Sequence, residues 1–185
     1  MMKKVLILHG WGGSDEPHWQ WWLANQLKEK NYKVSFPNFP NRDVPKLDSW
    51  MDTLKKEFDH FQPDIVVCHS LANILWFHFV HQYKLKELDK LMLVAPVSKK
   101  CAIKELQSFF PYPIPNQLNA KEIIMVGSTN DPYLSVEEAI ELHSQLNVGL
   151  KILENAGHIN AHSGFGELSC TFDWIEKESL NKNST

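Results

Sequence analysis

The feature that most restricts this chain is a change of hydrophobic period that recurs along almost its whole length. Short apolar runs stand at Val5 to Leu8, Val34 to Phe36, Ile65 to Cys68, Leu91 to Val94, Ile123 to Val126 and Leu150 to Leu153. Each is long enough for a buried strand and too short for a helix. Between most of them the spacing turns helical: Trp19, Trp22, Leu23 and Leu27; Leu47, Trp50, Met51, Leu54 and Phe58; and Phe165, Leu168, Phe172 and Ile175. Pro45 suits the approach to a first helical turn, and Ser135 with Glu138 has the spacing of a capping box ahead of Ile140 and Leu146. Strands alternating with helices imply a parallel sheet covered on both faces, with right-handed crossovers. The expected class is α/β: a three-layer α/β/α, doubly wound, mainly parallel six-stranded sheet of order 2-1-3-4-5-6.

With 185 residues, 43% of them hydrophobic, the chain can bury one substantial core, and no compositional break marks a second. Residues 1–180 are expected to form a single domain, with 181–185 a disordered polar tail. The stretch Ala95 to Ala120 interrupts the rhythm with Pro96, Pro111, Pro113 and Pro115. It reads equally as a modest lid or as an irregular packed connection. A formal net charge of −3 supplies no electrostatic reason to bind nucleic acid or an anionic membrane. Val5 to Leu8 is too brief for a signal-peptide core, and no segment approaches the roughly 20 apolar residues of a membrane span. Three cysteines, Cys68, Cys101 and Cys170, are odd in number and lack Cys-x-x-Cys spacing. That suits a reducing compartment, and a cytoplasmic location is expected.

In open α/β sheets, chemistry collects beyond the carboxyl ends of the strands. Four segments obey that rule: the glycine-rich His9-Gly10-Trp11-Gly12-Gly13-Ser14 after the first apolar run, Ser70 after the third, Asp131 after the fifth and His158 after the sixth. A serine hydroxyl needs a histidine to accept its proton, and the histidine needs a carboxylate to fix its tautomer and stabilise the imidazolium. Ser70, His158 and Asp131 can fill those roles. A serine on a tight strand-to-helix turn projects above the sheet, and the amide of the next residue, Leu71, opens a helix whose positive end favours an oxyanion. The amide of Trp11 supplies a second donor. Such donors contribute roughly 3 to 4 kcal/mol each towards a tetrahedral intermediate.

These residues resemble the α/β-hydrolase superfamily and, within it, the small serine hydrolases of the YdeN and retinoblastoma-binding-protein-nine-like group. The resemblance runs from Val5 to about Ile175. Its carriers are the glycine-rich loop with His18-Trp19-Gln20-Trp21-Trp22-Leu23, the elbow His69-Ser70-Leu71, the segment Gly127 to Tyr133, Gly157-His158 and Gly164-Phe165. It implies a minimal α/β-hydrolase fold with little or no lid, Ser70 as nucleophile, His158 as base, Asp131 as acid, and Trp11 and Leu71 as oxyanion amides. It implies hydrolysis of small esters or of amide and peptide-like bonds through an acyl-enzyme, with no cofactor. One departure stands out: the usual elbow is Gly-x-Ser-x-Gly, and here Cys68 and Ala72 replace the two glycines. A scaffold that has lost catalysis and serves as a binding protein is therefore the alternative reading. A flavodoxin-like binding domain is a weaker one, because it would share much of the strand order.

Several other residues have two readings. Trp19 and Trp22 share a helical core stripe, so packing is expected of both, whereas Trp11 sits on the oxyanion loop and is a pocket candidate together with Phe109, Phe110 and Tyr112. His78, His81 and His162 lack the spacing and partners of a metal site, and none is expected. The glycine-rich loop matches no phosphate-binding pattern, and Asp15 and Glu16 would repel a phosphate. His69 is expected to support its turn, and Cys68 to be a small buried hydrophobe. The clusters Lys84 to Lys90 and Lys28 to Lys33 read as solvated helix ends.

Overall fold

A computed structural model describes residues 2–177, and the polar tail expected at 181–185 lies outside them. All six apolar runs are strands: β1 Lys4–Leu8, β2 Lys33–Ser35, β3 Ile65–His69, β4 Leu88–Val94, β5 Ala120–Ser128 and β6 Gly149–Leu153. They form one sheet of order β2-β1-β3-β4-β5-β6. Every neighbouring pair is parallel, with Leu8 opposite Cys68 and His69 opposite Val94 at the carboxyl edge of the centre.

Alternation along the central strands divides the core in two. Leu6, Leu8, Val66, Cys68, Leu91 and Leu93 face a cluster completed by α2 (Leu47–Phe61), α3 (Leu71–Gln82) and α4 (Val136–Leu146). Val5, Ile7, Ile65, Val67, Met92 and Val94 face α1 (Trp19–Glu29) and α5 (Ser169–Glu176). Local chemistry sets the helix boundaries. Ser135 and Glu138 form the complete capping box at the start of α4, while α2 and α4 end on left-handed Gln62 and Asn147. Among the described residues no helix is long and apolar enough to cross a membrane.

Two expectations are corrected. Lys84 to Lys90 is not a helix end, because its last residues belong to β4. Lys90 is 1% exposed. Its Nζ donates to the carbonyls of Trp174 (2.7 Å) and Ile175 (3.4 Å) and to that of Lys177. A cation on a central strand thus satisfies the C-terminal carbonyls of α5, where the helix dipole is negative. The last helix also starts later than its apolar spacing suggests: Phe165 and Leu168 precede α5 and pack against the α1 side of the sheet as an irregular segment.

The excursion between β4 and β5 contains one short 3-10 helix, Lys104–Phe109, and is mostly a packed connection. His78 Nε2 on α3 donates to Phe109 O at 2.9 Å, and the Tyr112 hydroxyl donates to Val97 O at 3.0 Å, pinning the connection to the body. Part of it does border the cleft described next.

Candidate active site

Ser70 occupies the turn between β3 and α3 with φ 55° and ψ −123°, a left-handed conformation that costs a non-glycine residue roughly 1–3 kcal/mol. Main-chain and side-chain bonds hold it there. Ser70 N donates to Val94 O at 3.0 Å, and Asn73 Nδ2 donates both to Ser70 O (2.9 Å) and to Val94 O (2.8 Å). The turn lifts the Ser70 hydroxyl towards His158, whose Nε2 accepts from Oγ at 2.7 Å. On its other side His158 Nδ1 donates to Asp131, 2.9 Å from Oδ2 and 3.0 Å from Oδ1. The three residues therefore form one hydrogen-bonded chain, although 88 positions separate the first from the last.

The loops bearing the acid and the histidine are fastened to each other. Ser128 Oγ accepts from Ala156 N (3.0 Å), Thr129 Oγ1 from Asn155 N (2.8 Å) and Asn130 Oδ1 from Gly157 N (2.7 Å). Consecutive side chains at the end of β5 and just after it thus secure consecutive amides ahead of His158. Tyr133 N donates to Asp131 Oδ1 at 2.8 Å, and the Asp131 side chain is only 1% exposed. A carboxylate so oriented keeps the proton of a neutral imidazole on Nδ1 and leaves Nε2 free to accept.

The glycine-rich loop packs against the elbow from the β1 side. A Cβ on Gly10 would lie 2.7 Å from Ser70 Cβ, so only glycine fits there. His9 secures the loop by donating from Nδ1 to Gly10 O (2.7 Å) and accepting at Nε2 from Phe39 N (2.9 Å). Gln20 Nε2 donates to Leu8 O at 2.9 Å and its Oε1 accepts from Ser14 Oγ at 2.8 Å. Leu71 is the first residue of α3, where an amide has no acceptor within the helix.

Beside Ser70 lies a group of buried histidines. His69 Nε2 donates to His158 O at 3.1 Å, and its ring lies 4.9 Å from that of His18 and 5.2 Å from that of His158. Burial, aided by the neighbouring His18 and His158, pushes the His69 pKa well below the ordinary value. Burial first, then His158 and His9, brings that of His18 down to about 4. Burial thus holds both rings towards the neutral form. Cys68 is fully buried, and burial raises its thiol pKa well above the ordinary value, which removes it as a thiolate nucleophile.

A cleft of about 200 Å³ opens over Ser70 and His158. Trp11, Val97, Ile103, Leu106 and Tyr133 give it apolar walls, and His18, Asn160 and His162 line it with polar groups. The Trp11 ring is held by donation from Nε1 to Asp43 O at 2.8 Å. Of the pocket candidates, Trp11 alone reaches this cleft. Phe109 is fully buried edge-on to Trp50, Tyr112 packs on Phe77 in the core, and Phe110 lies against Tyr112. The proline-rich connection has to bury its own large rings, so its smaller residues Val97, Ile103 and Leu106 face the cleft instead. Sequence spacing did not single those out, nor His18 and Asn160. The signal available for Asn160 and Tyr133 was proximity, two residues beyond His158 and Asp131. Among the described residues, no group of three or more His, Cys, Asp or Glu side chains could hold a metal ion.

The serine hydrolase family model matches residues 5–177. The chain belongs to that family. It is 27% identical to YdeN of Bacillus subtilis over 180 residues, covering 94% of each chain. It is 24% identical over 173 residues to serine hydrolase RBBP9 of Rattus norvegicus, covering 89% of this chain and 91% of that one. The crystal structure of the B. subtilis ydeN gene product superposes with a TM-score of 0.85 at 26% identity, over 94% of this chain and 97% of that one. Est1E from Butyrivibrio proteoclasticus, at 11% identity and a TM-score of 0.66 over 95% of this chain and 89% of that one, shares the fold. The serine hydrolase assignment thus covers the whole sheet and all four strand ends, and the protein is a hydrolase with an α/β-hydrolase fold.

Proposed function

We propose that this serine hydrolase cleaves small, uncharged esters or amide-like bonds through Ser70, His158 and Asp131. The observation that carries the reading is the unbroken chain of contacts from Ser70 Oγ through His158 to the Asp131 carboxylate. In the first step Ser70 Oγ attacks the substrate carbonyl carbon as its proton passes to His158 Nε2. The carbonyl oxygen becomes an oxyanion and accepts from the amides of Leu71 and Trp11. As the intermediate collapses, the bond to the leaving group breaks, and His158 returns the proton to that group. This leaves an acyl ester on Ser70. Water then gives a proton to His158 and adds to the acyl carbon, and collapse frees the acid and restores the Ser70 hydroxyl. No cofactor takes part in these steps, and every participant comes from one edge of one sheet, so a single domain suffices. The cleft volume favours small substrates.

The decisive experiment compares wild-type protein with Ser70→Ala using an activated ester and a fluorophosphonate probe. Wild type should turn over the ester and take one label at Ser70, and the variant should do neither. Undiminished turnover by the purified variant refutes the role of Ser70.

A further inference from the structure

The polar wall of the cleft has a chemical sign. His18 is the N-cap of α1: its Nδ1 accepts from Gln20 N at 3.1 Å. That bond leaves the proton of the neutral ring on Nε2, a donor atom for which no protein partner exists among the described residues. Asn160 caps the short 3-10 helix Ala161–Ser163 in the same manner, its Oδ1 accepting from Ser163 N and from Ser163 Oγ, both at 2.9 Å. Its two amide hydrogens are what it has left to offer. Both side chains line the cleft over Ser70. In each, the acceptor atom is consumed internally and the donor remains.

The position of these donors relative to the reacting bond follows from His158. The leaving group departs on the side of the imidazole that protonates it. Asn160 is two residues beyond His158, and His18 packs on His69, whose Nε2 is bonded to His158 O. Val97, Ile103 and Leu106 come from the separate connection after β4. Among the described residues lining the cleft there is no Lys, Arg, Asp or Glu, so no permanently charged side chain there pairs with a charged substituent.

We infer that His18 and Asn160 form a donor-only subsite on the leaving-group side of the cleft, selecting substrates whose leaving group carries an uncharged oxygen acceptor. Carbonyl, ether and hydroxyl oxygens share that chemistry. The acyl portion is the apolar half of the substrate. A leaving group without an acceptor strands two donors in a partly desolvated site, and unmatched polar groups of that kind are what make enzymes discriminate between close analogues. The subsite rests on the hydrolase reading given above.

The test uses two esters of one acid, pentyl butanoate and 2-ethoxyethyl butanoate, which differ by one methylene replaced with an ether oxygen in the leaving group. Their kcat/KM ratio is normalised to their ratio in alkaline hydrolysis, which removes intrinsic reactivity. Wild type should favour the ether ester by about three- to tenfold. His18→Ser and Asn160→Ser keep a capping hydroxyl for the local backbone but withdraw the imidazole N–H and the amide NH2 from the cleft, the shorter hydroxyl lying back at the helix cap. In each, kcat/KM for the ether ester should fall more than that for the pentyl ester, bringing the normalised ratio towards unity. Fluorophosphonate labelling of Ser70 in each variant shows that its site is assembled. A wild type without the preference, or labelled variants that lose both esters equally, overturns the subsite alone. Wild type that takes no label overturns the Ser70 reading and the subsite with it.

Discussion

Gly10 is the glycine whose missing side chain would strike Ser70 itself, and Gly10→Ala tests whether the Ser70 geometry is what the chemistry uses. The new Cβ would lie 2.7 Å from Ser70 Cβ, 3.1 Å from His69 O and 3.2 Å from Ser70 Oγ. Carbon atoms in good contact sit about 3.5–4.0 Å apart, so something must yield by about 1 Å. Neither side yields cheaply. Ser70 is tied to Val94 O and to Asn73 Nδ2, while Gly10 O accepts from His9 Nδ1 at 2.7 Å and from Gly13 N at 3.2 Å. Overpacking of this kind costs about 1–3 kcal/mol of stability. A 1 Å displacement of a reacting group costs about 100-fold in rate. The expected outcome is a folded protein, destabilised in urea unfolding by about that amount, whose Ser70 reacts with fluorophosphonate about 100-fold more slowly. Gly149→Ala is the control, since its Cβ meets nothing closer than Ile123 O at 3.6 Å. Labelling of Gly10→Ala within threefold of wild type, with Gly149→Ala also unchanged, would refute the reasoning.

Three further outcomes follow from the same geometry. Asp131→Asn keeps the shape of the acid but removes the charge that stabilises imidazolium and frees the histidine tautomer, so kcat for an activated ester should fall by about 10³–10⁴-fold; a loss under tenfold contradicts the acid role. His9, His18 and His69 all have pKa values lowered chiefly by burial, so below about pH 6.5 the unfolded chain takes up protons that the folded chain refuses. Stability should therefore fall as pH drops below that value, His18 alone contributing about 2 kcal/mol by pH 5; a urea-unfolding free energy that is flat between about pH 7 and 5 would contradict this, and His18→Ser should make the slope shallower. Cys68 is fully buried whereas Cys101 and Cys170 are partly exposed, so iodoacetamide should spare Cys68 in the native protein and reach it only in denaturant, as peptide mass mapping would show.

The sheet was legible because its central strands β1, β3 and β4 are buried on both faces and carry uninterrupted apolar runs, while the edge runs at β2 and β6, though broken by Ser35 and Lys151, keep the same spacing between helical segments. Strand ends were less legible. β4 begins at Leu88 and β5 at Ala120, so each includes charged residues that the apolar runs omit. Asp89 and Lys121 pair across that region, 2.8 Å apart, at a strand entrance that solvent reaches. Lys90 was misread because a lysine within a charged cluster signals solvation. Its buried ammonium is supported by carbonyls 84 and 85 residues downstream, a contact no local pattern announces. α3 has no polar face for most of its length, with Leu71 to Phe77 all buried, so helical periodicity could not mark it. At the site, residue types and order were enough to nominate Ser70, Asp131 and His158, because each role demands one kind of side chain at a strand end. The cleft walls were not, since Val97, Ile103 and Leu106 are ordinary apolar residues whose orientation depends on how the proline-rich connection packs.

The replaced elbow glycine shows where close packing is required in this chain. Cys68 pairs in register between Leu8 and Leu93, and its side chain lies in the core cluster that includes Leu71, Ala72 and Leu75. That face accepts a small apolar side chain under α3, the more so because Ala72 adds only one carbon where the second elbow glycine would stand. Ser70 reaches its left-handed conformation with Cys68 in place. Asn73, one turn into α3, ties the Ser70 carbonyl to the end of β4 through both hydrogens of its amide, and its Oδ1 has no protein partner among the described residues. A glycine is required off the elbow at Gly10, on the neighbouring strand's loop, where a single added carbon would strike the serine itself. The spatial constraint on this serine thus comes from the loop after β1 as well as from Asn73 and Val94. For that reason a five-residue pattern around Ser70 understates how closely the site is built.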